Sequence, residues 1–288
     1  MFTTNTLKFY NALMNKKVLT MQDISCYGQC STTVALPIIS AWGYETAILP
    51  SAILSTHTSG FKNFTVHDLS NEIPKIINHW KNEGFKYDAF YVGYLGEIGH
   101  IDLVIQIKNE LLNKDGFFVL DPVMGDNGKL YPAFNDGYVK AIKRLVKEAD
   151  IILPNLTEAC FLTGLEYKED YDENYIKNVI NKLLEIGAKK IVLTGIAYKK
   201  EMTGVVIYDE NGYQHFIHRR INKSYHGTGD VYASTFLGAF LGHHNIKDAA
   251  ITAAEFVVKA IENTLDDPNH NYGVKFEPLL ADFVEENR

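Results

Sequence analysis

Apolar positions along this chain switch repeatedly between two periods. Short runs rich in β-branched and aromatic residues at 17–21, 46–49, 89–92, 117–120, 151–153 and 191–194 predict strands, and stretches with the three-to-four spacing of an amphipathic helix lie between them, at 31–42, 69–83, 101–113, 135–148, 156–163 and 174–186. Such alternation predicts an α/β fold with a central, mostly parallel sheet covered by helices. Several strand runs are apolar without interruption, as expected where both sheet faces are buried. Pro37, inside the first helical stretch, predicts a kink or a late helix start.

After Thr194 the pattern changes to two strands, 203–208 and 213–218, joined through Asp209-Glu210-Asn211-Gly212, where Asn-Gly is a hairpin signal. A helix over 231–241 follows, and then one whose face carries Ala250, Ala253, Ala254, Val257, Val258 and Ile261. No repeat, low-complexity tract or polar linker interrupts the sequence, so one domain over residues 1–288 is expected.

An apolar content of 46% over 288 residues supplies a large core, and a net charge of −7 argues against nucleic acid or an anionic membrane as partner. No apolar run is long enough to span a bilayer, and residues 1–17 lack the apolar segment of a secretory signal, so a cytoplasmic location is expected. Three cysteines, Cys26, Cys30 and Cys160, are too few for a disulfide framework and read as free thiols.

The densest candidate chemistry is Gly227-Thr228-Gly229-Asp230, immediately before a helical run. Amides freed by glycines at the positive end of a helix form an anion cradle, and a carboxylate inside that cradle is placed to take a proton from a hydroxyl that attacks phosphorus. The plainer reading of Asp230 is a helix cap. Asp121-Pro122-Val123-Met124-Gly125-Asp126 and Pro154-Asn155-Leu156-Thr157-Glu158 each follow a predicted strand, where open α/β sheets place ligands. Oxygen ligands there suit a hydrated Mg²⁺ on nucleotide phosphates, against the alternative of a turn and a helix start with Asn155 as cap and Glu158 three residues on. A P-loop, a dinucleotide fingerprint, a G-x-S-x-G elbow and an H-E-x-x-H helix are all missing.

The polar loop 21–31 after the first strand offers Asp23 to a hydroxyl or ring nitrogen of a small substrate, or else serves solubility. Ser51 and Ser55-Thr56-His57-Thr58-Ser59-Gly60 follow the second strand with the composition of a cover, where His57 is equally an exposed loop residue. Arg219, Arg220 and Lys223 precede the glycine loop and either steer phosphate or form a local basic patch; His243 and His244 read as a solvated helix end.

In order, Tyr27-Gly28, Ser55-Thr56-His57-Thr58, Gly93-Tyr94-Leu95-Gly96, Asp121 to Asp126, Pro154 to Glu158 and Gly227 to Asp230 resemble the ribokinase-like superfamily, and within it the vitamin B6 (pyridoxal/pyridoxamine) kinases. The resemblance spans nearly the whole chain. It implies a three-layer α/β/α sandwich and transfer of the ATP γ-phosphate to the 5′-hydroxymethyl group of a B6 vitamer. By the same resemblance Asp230 is the base, Gly227, Thr228 and Gly229 form the anion hole, and Asp121 and Glu158 organise Mg²⁺. Asn155, Thr194, Gly195 and Lys223 then border the nucleotide, and Asp23, Ser51, His57 and Tyr94 face the acceptor. A homodimer is implied, with room for a monovalent cation. Many B6 kinases carry Ser and Thr where this chain has Asp23 and Ser51, and Asp at this loop is also similar to the hydroxymethylpyrimidine kinases, which is the alternative activity. A catalytically silent, ligand-binding regulator is the alternative of another class.

Overall fold

The structure is a computed structural model that describes residues 16–243 and 245–286. Residues 1–15 and His244, both touched on by the sequence reading, lie outside the described residues.

Strand alternation sends neighbouring side chains to opposite sides of the sheet. In β1 (Lys17–Ser25), β4 (Tyr87–Val92) and β5 (Leu112–Leu120), the residues Leu19, Met21, Phe90, Val92, Phe118 and Leu120 enter one buried cluster, while Val18, Ala89, Tyr91 and Val119 enter another. With β2 (Glu45–Leu54), β8 (Ile151–Ile152) and β9 (Lys190–Thr194) these strands form a parallel array in the order β9-β8-β5-β4-β1-β2. Antiparallel strands finish both edges: β3 (Val66–Asp68) beside β2, and β10 (Met202–Asp209) with β11 (Gly212–Arg219) beyond β9. A separate hairpin of β6 (Gly125–Asp126) and β7 (Lys129–Leu130) turns through Asn127 and Gly128, both at positive φ.

The first cluster packs against α2 (Ile73–Asn82), α3 (His100–Leu111), α4 (Asp136–Glu148), α5 (Leu156–Thr163) and α6 (Glu173–Glu185). The second packs against α1 (Thr32–Ala41), α7 (Thr228–His243) and α8 (Ile246–Glu262). A short α9 (Leu280–Glu286) sets Phe283 against Trp42 and Phe256. This is the expected three-layer sandwich around a mostly parallel sheet.

Pro37 lies inside α1, which already begins at Thr32, so the late start does not occur. The β10–β11 hairpin forms as the sequence indicates, but its turn is Glu210-Asn211 with only Gly212 at positive φ, and Asp209 Oδ1 accepts from the Asn211 amide. On α8 the anticipated apolar face divides: Ala250 and Ala253 enter the core, whereas Val258 turns to the cavity described next.

Candidate active site

Loops leaving the C-terminal ends of β1, β2, β4, β5, β8 and β9 open on one cavity of about 1360 Å³. It brings together Asp23, His57, Tyr94, Asp121, Asn155, Glu158, Thr194, Gly195, Lys223 and the whole of Gly227 to Asp230. Ser51 is not among its lining residues. The Ser51 hydroxyl is buried and donates to the Tyr94 carbonyl at 3.1 Å, so it steadies the loop that carries Tyr94 rather than facing an acceptor.

Helix α7 begins at Thr228, so the amides of Gly227, Thr228 and Gly229 sit at its positive end and Asp230 in its first turn. Gly227 has φ +77°, and a Cβ built on it would lie 1.8 Å from the Gln29 carbonyl oxygen. Backbone packing therefore requires glycine there. At Gly229, by contrast, a Cβ would meet no protein atom within 4 Å. Burial is the main cause that raises the Asp230 carboxyl to about 7, with Asp23 adding to it and the Ser31 amide opposing.

Asp121 follows the last residue of β5 and Glu158 sits in the first turn of α5. Glu158 completes a capping box with Asn155: its Oε2 accepts from the Asn155 amide at 2.9 Å, and the Asn155 Oδ1 accepts from the Glu158 amide at 3.0 Å. Its Oε1 accepts from the Met124 amide at 3.1 Å, which ties the loop after β5 to α5. Burial raises Glu158 to about 7 and pushes Asp121 well up, the latter also through repulsion by Glu158 and Asp230. No described group donates to the Asp121 carboxylate, and among the described residues no lysine or arginine pairs with Asp23, Asp121, Glu158 or Asp230. Asn155 also holds the β6–β7 hairpin, its Nδ2 donating to the Gly125 carbonyl at 2.9 Å. Thr194 pairs with Asn155 across the ends of β8 and β9.

Asp23, 3% exposed, accepts from the Ser25 hydroxyl at 2.9 Å, and burial raises its carboxyl. His57 Nε2 lies 3.1 Å from the Tyr272 carbonyl; burial lowers the imidazole pKa, so the neutral ring donates through Nε2. Four loops interleave here. Tyr27 packs on Phe61 and Tyr272, and His57 packs against Phe61 and His226. A Cβ on Gly28, at φ +101°, would lie 2.3 Å from the His57 ring.

Lys199, Lys200, Arg219, Arg220 and Lys223 line the same cavity from the β9–β11 side, where Lys223 also stacks over Tyr225 with its nitrogen 4.8 Å from the ring centroid. Among the lining residues that escaped the sequence reading are Lys199, Lys200, Ser31, Cys30 and His226. Ser31 looks like an ordinary helix cap, while Cys30 and His226 carry no local signal of their placement. Among the described residues no three His, Cys, Asp or Glu side chains converge as a protein-only metal site, and no helix is long and apolar enough to cross a membrane. Cys26, Cys30 and Cys160 are free thiols.

A family model described as phosphomethylpyrimidine kinase matches residues 36–275. The hydroxymethylpyrimidine/phosphomethylpyrimidine kinase of Aquifex aeolicus is 32% identical over 183 residues, covering 63% of this chain and 70% of that protein. Pyridoxal kinase from Lactobacillus plantarum has a solved structure with a TM-score of 0.87 and 31% identity, covering 94% of this chain and 98% of that one. A putative phosphomethylpyrimidine kinase from Bacteroides thetaiotaomicron, in an orthorhombic crystal form with pyridoxal, has a TM-score of 0.89 and 32% identity, with 94% and 96% covered.

Proposed function

From membership of the phosphomethylpyrimidine kinase family, to which the chain belongs, we propose that this ATP-dependent kinase transfers the γ-phosphoryl group of ATP to the 5′-hydroxymethyl group of pyridoxal, pyridoxamine or pyridoxine. The observation that carries the chemistry is Asp230 in the first turn of α7, beside the Gly227, Thr228 and Gly229 amides. A carboxyl near 7 is ionised over the upper part of the neutral range and basic enough to accept the hydroxyl proton as the oxygen attacks phosphorus. The amides stabilise charge on the phosphoryl oxygens during transfer.

The acceptor ring fits between Asp23 and Tyr94, with His57 in the cover, and the nucleotide phosphates approach from Lys199, Lys200, Arg219, Arg220 and Lys223. Asp121, buried without a donor, has the free lone pairs that a hydrated Mg²⁺ takes up, whereas both Glu158 oxygens already accept backbone amides. Asp121 would hold such an ion directly and Glu158 through its water, and the bound ion would neutralise phosphate charge. The acceptor assignment is supported by the Bacteroides relative in its form with pyridoxal and by the Lactobacillus pyridoxal kinase.

A second reading, a hydroxymethylpyrimidine acceptor, is favoured by Asp23 and by the Aquifex relative. Purified protein with Mg-ATP and both alcohols in competition decides between them. The expected outcome is a higher kcat/KM for pyridoxal or pyridoxamine, by roughly 10- to 200-fold for one well-matched polar contact. Preference for the pyrimidine overturns the B6 reading, and phosphorylation of neither overturns both. Homodimeric assembly and a monovalent-cation requirement belong to the same reading and are measured by light scattering and by exchanging the alkali cation in the assay.

A further inference from the structure

His100 is the first residue of α3, is fully buried, and is used by no step of the proposed phosphoryl transfer. A buried imidazole needs partners for both ring nitrogens. Here both have them. Nδ1 lies 2.6 Å from the Leu95 carbonyl, and because a carbonyl oxygen can only accept, Nδ1 carries the hydrogen and donates. Nε2 lies 2.8 Å from the Ser70 hydroxyl oxygen, which is itself 2.8 Å from Asp68 Oδ1, and that carboxylate oxygen stands 3.7 Å from Nε2. The ring is thereby fixed at both ends.

The carbonyl it holds belongs to the segment that carries an acceptor-facing ring. Tyr94 lines the cavity, and Leu95 beside it is buried in the core. Their two successive carbonyls are both held by fully buried side chains, that of Tyr94 by the Ser51 hydroxyl at 3.1 Å and that of Leu95 by His100. With the Gly93 amide donating to the Met21 carbonyl at 3.2 Å, the backbone is pinned on both sides of Tyr94. Its ring leans on Phe134, the centroids 5.4 Å apart.

Both side chains that hold these carbonyls depend on the pairing of β2 with β3. Ala52 pairs with Asp68, and the Leu69 amide donates to the Ser51 carbonyl at 3.1 Å, so one short edge strand sets Ser51 at Tyr94 and brings Ser70 to His100. All three residues of β3 are exposed, so the strand buries no apolar face of its own.

We propose that His100 is a positioning residue for the acceptor subsite: anchored on Ser70 and Asp68, it holds the Leu95 carbonyl and so sets Tyr94 against the acceptor ring. This inference rests on the kinase reading above and adds the edge strand as the support of the acceptor wall. Asp68, Ser70 and His100 do not line the cavity, so substitutions there reach the acceptor only through the backbone of the Tyr94 segment.

Three substitutions in the full-length protein test it, with Mg-ATP and pyridoxal. His100→Leu removes the bonds of both nitrogens, and acceptor KM is expected to rise about tenfold with the KM for ATP within about twofold of wild type. His100→Asn keeps an N–H donor at the same number of bonds from the backbone as Nδ1, and acceptor KM is expected to return to within about threefold of wild type. Ser70→Ala removes the anchor of the ring from a half-buried position, so it serves even where His100→Leu fails to fold; acceptor KM is expected to rise about threefold. A merely structural role would lower Tm and leave the acceptor and ATP values undivided. An unchanged acceptor KM in Ser70→Ala or His100→Leu, a parallel rise in the KM for ATP, or His100→Asn no better than His100→Leu each overturns the proposal. Should wild-type protein phosphorylate no alcohol, the kinase reading fails instead, and the position of the Leu95 carbonyl in a crystal structure of Ser70→Ala still tests the clamp.

Discussion

Along the floor of the cleft, from β1 to β8, Asp23, Asp121, Glu158 and Asp230 line the cavity with no lysine or arginine among the described residues paired to them, whereas beyond β9 Lys199, Lys200, Arg219, Arg220 and Lys223 stand exposed. Four strand spacings, about 19 Å, separate β1 from β9 in the sheet. Exposed bases attract a polyanion at little desolvation cost, and salt screens them. Buried or half-buried carboxylates that lack counter-charge instead destabilise the empty protein and hold their protons to higher pH than free ones do. On the proposed reading, a chain with net charge −7 keeps the groups that would meet the nucleotide phosphates beyond β9 apart from the carboxylates that would handle protons along β1 to β8.

The contrast breaks most visibly at Asp230. Asp230→Asn should lower kcat by roughly 10²–10⁴ while leaving ATP affinity nearly unchanged, measured by steady-state rates and by calorimetric titration. Near-wild-type turnover would remove Asp230 from the proton transfer.

The two glycines of the loop sharpen the comparison. Gly229→Ala places a methyl in open cavity and strengthens a helix, so Tm should rise by a few degrees, matching about 0.5–1 kcal/mol. Its kcat should nonetheless fall about 10- to 100-fold as the methyl crowds the phosphoryl oxygens. Gly227→Ala should lower both Tm and kcat, because its Cβ collides with the Gln29 carbonyl at a positive φ. A loss of Tm in Gly229→Ala would mean that this glycine serves the fold rather than the anion.

The smallest effect is on the resting protein. Asp23, Asp121, Glu158 and Asp230 all have folded-state pKa values raised above their ordinary range. Their contribution to stability is present below about pH 4 and is lost as pH rises through about 7 for Glu158 and Asp230. Without divalent cation, Tm should fall by a few degrees between about pH 6 and pH 8, and Mg²⁺ should restore it more at pH 8 than at pH 6. A Tm insensitive to Mg²⁺ at pH 8 would argue against a cation at Asp121.

Much of this was readable in the sequence because period and glycine placement are local signals. The parallel strands and their helices follow from apolar spacing, and the glycine loop falls where the anion cradle was expected. The capping alternative for Asn155 and Glu158 is physically formed, and the same two residues line the cavity, so forming the cap leaves the ligand reading of that segment open. The strand Val66–Asp68 escaped because a three-residue exposed edge has no apolar period. The β6–β7 hairpin escaped although Asn127-Gly128 supplies the turn signal, since two-residue strands offer no pattern to flank it. Ser51 shows the other limit. Whether a serine turns its hydroxyl to a ligand or to a distant carbonyl, as Ser51 does to that of Tyr94, is decided by chain segments far away in sequence, and no neighbouring residue announces it.

The Tyr272 carbonyl accepts both from the Gln29 amide, at 3.0 Å, and from His57 Nε2, at 3.1 Å, while His270 Nε2 meets the Gln29 side chain at 2.8 Å. A segment that contributes nothing to the sheet thus acts as a latch across the loops after β1 and β2. Damage to the chain's last stretch, by proteolysis or by a bulky appended sequence, would be felt first in how firmly the small molecule is enclosed, with the nucleotide end still competent.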